Sequence, residues 1–136
     1  MAEGLAKHLL AEHLEIPVEQ LPAAGYNVIS AGTFGFDGLP VSPESVQALQ
    51  TQGIDISEYT SAQLTETLIQ QADLIFCMTE SHRQTVIHMM PEAASKTHCL
   101  LADQDVDDPI GMGLSAYQKT AEMIRIGIQQ RLSEIL

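Results

Sequence analysis

The stretch ADLIFCMT, residues 72–79, decides the architecture. Leu74 to Met78 form a short unbroken apolar run between Asp73 and Thr79, the pattern of a strand buried on both faces. ESHRQTVIHMM follows at 80–90 and reads as a helix that stops at Pro91. Working outward, KTHCLLA (96–102) repeats the buried-strand pattern, and YNVISAG (26–32) reads as a strand ending in Gly32. Between the strands lie helical patterns. MAEGLAKHLLAEHLE (1–15) puts Leu5, Leu9, Leu10 and Leu14 on one stripe, with no capping residue at its start. In SPESVQALQTQG (42–53), Ser42 suits the cap, Pro43 the first turn and Gly53 the position past the end. TSAQLTETLIQQ (60–71) is expected to be helical. LSAYQKTAEMIRIGIQQRLSEIL (114–136) carries Tyr117, Ala121, Ile124, Ile128 and Leu132 on one face. Strands alternating with helices predict an α/β fold, a parallel sheet between two helix layers. In such a sheet ligands bind beyond the carboxyl ends of the strands. That edge would hold the loops 32–41, 79–81 and 102–113. Only three strands are visible, few for this architecture.

The chain has 136 residues, enough for one domain with a core and too few for two. Eighteen acidic residues against six basic ones give a formal charge of −12, which argues against nucleic acid and anionic membrane surfaces as partners. No apolar run is long enough to span a bilayer. Two cysteines make no disulfide scaffold, and a reduced, cytoplasmic protein is expected.

Cys77 and Arg83 stand in the Cys-x5-Arg spacing of cysteine-dependent phosphatases. Such a loop wraps a phosphate with inward-pointing backbone N–H groups, which favours small residues and glycine. Here the five residues are Met78, Thr79, Glu80, Ser81 and His82; none is glycine, and Glu80 would oppose an incoming phosphate. Cys77 is therefore expected to be a buried, inert thiol. The loop DQDVDDPIGMG, 103–113, fails as a calcium loop. Counted from Asp103, its sixth and twelfth positions hold Asp108 and Leu114 rather than Gly and Glu. The alternatives are a solvated acidic turn or one positioned acid. Asp108, with Pro109 fixing the chain after it, is the best-placed proton donor. The histidines show no metal pattern: His8 and His13 are five apart, His82 and His88 six. Phe34 and Phe36, in a loop, either line a pocket for a flat group or pack onto the domain.

The order of these segments resembles the low-molecular-weight protein tyrosine phosphatase family, including its bacterial arginine-phosphatase relatives, over the whole chain. MAEGLAKHLL looks like the helix after the family's phosphate loop. VISAGT and GLPVSPESVQALQTQGIDIS look like the next strand, its loop and its helix. ADLIFCMTESH is similar to a later strand and turn, and DVDDPIG to the Asp-Pro loop. The resemblance implies a phosphotyrosine phosphatase I-like three-layer α/β fold in a single domain, 1–136. It implies Asp108 as general acid and base, Phe36 and Ile110 as substrate-pocket walls, and no metal or cofactor. The substrate class it implies is a phosphorylated protein (phosphotyrosine or phosphoarginine) or a small phosphate ester.

Two departures accompany it. Ile110 stands where the family usually carries an aromatic residue. The family's Cys-x5-Arg-Ser-Pro loop and the strand that carries it match nothing here, and Cys77 corresponds to no family nucleophile. The chain is therefore expected to be N-terminally incomplete and inactive alone. Losing about four or five buried apolar side chains at ~1.5–3 kcal/mol each would rival the ~5–15 kcal/mol stability of a domain. Two alternatives stand beside the phosphatase: a non-catalytic pseudophosphatase or interaction module, and a thiol-dependent arsenate reductase.

Overall fold

The computed structural model describes all 136 residues. Helix α1, Ala2–Leu14, begins without a side-chain cap and buries Leu5, Leu9, Leu10 and Ala11. Helix α2, Pro43–Gln50, is capped by Ser42, whose Oγ accepts the Ser45 N–H at 3.3 Å. Helix α3, Glu66–Gln71, is capped by Thr65, and α4, Glu80–Met89, by Thr79. Helix α5, Leu114–Ile135, buries Tyr117, Ala121, Ile124, Gly127 and Ile128, the stripe read from its sequence. Strands β1, Ile75–Cys77, and β2, Thr97–Cys99, pair in parallel, Ile75 opposite Thr97 and Cys77 opposite Cys99.

The strand alternation sorts side chains into two cores. Phe76 and Met78 pack on a cluster that includes Leu5, Leu49, Ile56, Leu100, Ala121 and Ile124, drawn largely from α1, α2 and α5. Ile75 and Cys77 point the other way, onto Ile69, Val86 and Ala93 from α3, α4 and the 3-10 segment Pro91–Lys96. The result is the expected three-layer α/β arrangement.

Several sequence expectations need correction. Residues 26–32 form no strand; Gly32 makes only an isolated parallel bridge with Gln63, because nothing pairs with the rest of the segment. The helix expected over 60–71 starts at Glu66, since residues 61–64 are extended and bond to the 32–39 loop. The run 74–78 is not buried on both faces: Leu74 is exposed, Ile75 and Phe76 half-buried. Three expected strands become two.

The two sheet edges differ. Cys77 O accepts the Leu100 N–H at 2.8 Å, so alternation turns the Thr97 and Cys99 carbonyls outward. Both are capped by arginine: Arg83 Nε donates to Thr97 O at 3.2 Å, and the Arg131 guanidinium donates to Cys99 O. Across the sheet, Phe76 turns its backbone groups to an edge where no strand pairs.

Candidate active site

The loop 102–113 leaves β2 and is pinned to the end of β1. Val106 N–H donates to Met78 O at 2.7 Å, and Val106 itself is buried. Asp105 Oδ1 accepts the Glu80 N–H at 2.9 Å, so this carboxylate sits at the N-terminus of α4. Four residues after Asp105, Pro109 is buried while Asp108 before it is exposed. Asp108 Oδ1 accepts the Ile110 N–H at 3.1 Å, an Asx turn that holds the carboxyl on the outside of the loop. Gly111 and Gly113 at φ 77° and 85° carry the chain round into α5, a conformation a side chain would strain.

The loop 32–41 is tied to the extended 60–64 segment. Gly38 N–H donates to Ser61 O at 2.8 Å, Ser61 N–H to Leu39 O at 2.8 Å, and Ser61 Oγ donates to Phe36 O. Asp37 Oδ1 accepts the Gln63 N–H at 2.8 Å. The ring of Phe36 and the side chain of Ile110 both stand in solvent, 75% and 73% exposed. A hollow of about 210 Å³ is lined by Ser30, Ala31, Gly32, Phe34, Gly35, Ser61 and Ala62; Phe36, Ile110 and Asp108 are not among its walls. A larger, polar hollow of about 460 Å³ between α2 and α5 is lined by Gln52, Gln118, Glu122 and Arg125, away from these loops and without a nucleophile.

Cys77 is buried, and burial, reinforced by neighbouring Cys99, pushes its thiol up to about 11. A thiol held protonated is a poor nucleophile. Arg83, six residues on, is engaged at Thr97 O and at Glu80, its Nη1 lying 3.0 Å from Glu80 Oε1. Cys99 Sγ donates to Glu80 Oε2 at 3.3 Å, and partial burial together with that hydrogen bond raises its thiol as well. Both cysteines are free, and no group of His, Cys, Asp and Glu is arranged to hold a metal. No helix is long and apolar enough to cross a membrane.

Sequence reasoning overlooked Asp105 and the arginine edge caps. Asp105 was one of four aspartates in a row of similar residues, and its role depends on a contact 25 residues away. Arg131 is an unremarked polar residue of a long helix until β2 is brought beneath it.

The family model for the low molecular weight phosphotyrosine protein phosphatase matches residues 1–136. The chain is 35% identical over 106 residues to the probable low molecular weight protein-tyrosine-phosphatase EpsP of Ralstonia nicotianae, covering 76% of this chain and 73% of that one. It is 32% identical over 123 residues to a protein-arginine-phosphatase of Geobacillus stearothermophilus, covering 87% and 80%. An arsenate reductase of Staphylococcus aureus is 30% identical over 132 residues, covering 96% and 83%. The crystal structure of the low molecular weight protein tyrosine phosphatase from T. tengcongensis superposes with a TM-score of 0.83 at 32% identity, covering 98% of this chain and 88% of that one.

Proposed function

The chain belongs to the low molecular weight phosphotyrosine protein phosphatase family, and on that footing we propose that its fold serves phosphomonoester hydrolysis through a cysteinyl-phosphate, with Asp108 as the acid and base. The observation that carries this is the match of the family model to residues 1–136. Asp108 sits in an Asp-Pro turn at the strand-end edge, accessible to a leaving group. It protonates the departing atom, an oxygen for a phosphate ester and a guanidine nitrogen for phosphoarginine, then takes a proton from the water that hydrolyses the cysteinyl-phosphate. Phe36 and Ile110 flank the substrate from the two loops. The substrates are phosphorylated proteins, on tyrosine or arginine, or small phosphate esters, and the protein works in the cytoplasm as a single domain.

Neither cysteine present is that nucleophile. Cys77 is buried with its thiol held protonated, and Cys99 is bonded to a carboxylate. The 136 residues by themselves are inactive. A strand ending in Cys-x5-Arg, laid along the bare edge of β1, would complete the site. The arsenate-reductase reading ranks below, because it needs resolving thiols close to the nucleophile. A pseudophosphatase would lack the loop in its gene.

The test is hydrolysis of p-nitrophenyl phosphate. The 136-residue chain should not turn it over, and adding the loop and its strand in cis should restore turnover. Asp108→Asn should then lower kcat by roughly 10²–10⁴-fold. Turnover by the 136-residue chain that disappears in Cys77→Ser overturns the assignment.

A further inference from the structure

Exposed apolar side chains gather on the two loops of the strand-end edge. Phe34 is 96% exposed and Met112 69%, with Phe36, Leu39 and Ile110 beside them in the sequence. Apolar surface kept in water next to polar groups marks a contact surface. The two loops are anchored on one body: Val41, closing the first, and Val106, within the second, pack into the same core cluster.

The charged side chains of the two loops have one sign. The first loop contributes Asp37, and the second contributes Asp103, Asp105, Asp107 and Asp108, all exposed. No Lys or Arg occurs from residue 8 to 82 or from 97 to 118. Asp37, Asp105 and Asp108 accept backbone N–H groups, which leaves Asp103 and Asp107 without a protein partner. Arg83, at the start of α4, is held by Glu80 and Thr97 O.

We propose that this rim selects phosphorylated protein segments whose flanking residues are apolar and basic. Phe34 and Met112 cover an apolar flanking side chain, and Asp103 and Asp107 pair with Lys or Arg on either side of it. Acidic flanks are repelled by the same carboxylates. The proposal rests on the phosphatase reading only for the phosphate; the rim's preference is measurable without turnover.

The test titrates the isotope-labelled 136-residue chain with two short unphosphorylated peptides of Leu-Tyr-Leu centre, one flanked by arginines and one by glutamates, followed by NMR. The arginine peptide should shift the amides around Phe34 and Met112, with affinity about 5–10-fold above the glutamate peptide at low salt, from two surface ion pairs. The difference should shrink at high salt. Phe34→Ser should weaken both peptides, and Asp103→Asn with Asp107→Asn should remove the discrimination alone. Equal shifts from both peptides, or shifts mapping to the Gln52–Arg125 hollow, overturn the proposal. So does a dimer in sedimentation that Phe34→Ser dissociates, since the rim would then be covered by a second copy. In the loop-bearing protein, turnover without preference for basic flanks overturns this inference and leaves the phosphatase reading standing.

Discussion

Replacing Gly127 by alanine should destabilise the protein, against the usual rule for helices. An interior helical glycine normally loses about 1 kcal/mol to alanine, so Gly→Ala ordinarily stabilises. Gly127 lies in the middle of α5, yet it is buried against the end of β2. A Cβ there would meet Leu100 Cγ at 2.8 Å, Leu101 Cδ2 at 3.0 Å and Leu100 Cδ2 at 3.2 Å. Leu100 Cγ is a branch point and cannot swing away without moving its whole side chain, and both leucines are buried. Overpacking of this kind costs about 1–3 kcal/mol, which exceeds the propensity gain and leaves a net loss of about 1 kcal/mol. The melting temperature should fall by about 3–5 °C for a chain of this size. Leu101 leads directly into the 102–113 loop, so the Val106 amide, bonded to Met78 O, should lose hydrogen-exchange protection as well. Urea unfolding that shows Gly127→Ala stabilised by about 1 kcal/mol with an unchanged slope would refute the reasoning.

Three further outcomes follow from the packing. Lys96 Nζ donates to Ile69 O at 2.7 Å and Ala72 O at 2.6 Å, closing the C-terminus of α3; Lys96→Met should cost about 1–3 kcal/mol and speed amide exchange in α3 but not in α5. Arg131 donates to the carbonyls of Cys99 and Leu100 and lies 5.4 Å from the Phe76 ring. Arg131→Leu should therefore expose the β2 edge and give concentration-dependent association in gel filtration; a monomer of wild-type stability would contradict that. The Cys77 thiol is raised in the folded state, from 9.0 to about 11. The folded protein thus keeps a proton that the unfolded chain loses above pH 9. Stability from this group is fully present below pH 9 and lost as pH rises towards 11, on the order of 1–2 kcal/mol. Cys77→Ala should flatten that alkaline slope in urea melts, and an unaltered slope would mean the thiol is not the cause.

How far the sequence carried depends on where each element's partner lies. The helices were legible because their signals are local: the Ser42 cap, the leucine stripe of α1 and the Tyr117–Ile128 face of α5 all lie within a few turns. The strands were legible as apolar runs but not in extent, since a strand exists only against a neighbour. β1 and β2 keep three residues each, and the 26–32 segment, equally apolar, has no ladder at all. The start of α3 was misplaced because residues 61–64 satisfy their backbone on Gly32 and Leu39, about 20–30 positions earlier, rather than on one another. For the site, the Asp-Pro turn was readable, whereas the role of Asp105 required the fold.

The same contacts explain why Cys77, at phosphatase spacing from Arg83, forms no phosphate cradle. A cradle needs several successive N–H groups aimed at one point, followed by a free helix N-terminus. Here Thr79 already caps α4, its Oγ1 accepting the His82 N–H at 3.1 Å, so only Met78 separates Cys77 from the cap. The Glu80 N–H, the first a phosphate would reach on the helix, is taken by the Asp105 carboxylate. The anion position at the helix start is thus occupied by the chain's own acid. The guanidinium that should clamp the equatorial oxygens is spent on Thr97 O and Glu80 instead. Every group the motif would recruit is committed to holding β1, β2 and the Asp108 loop together.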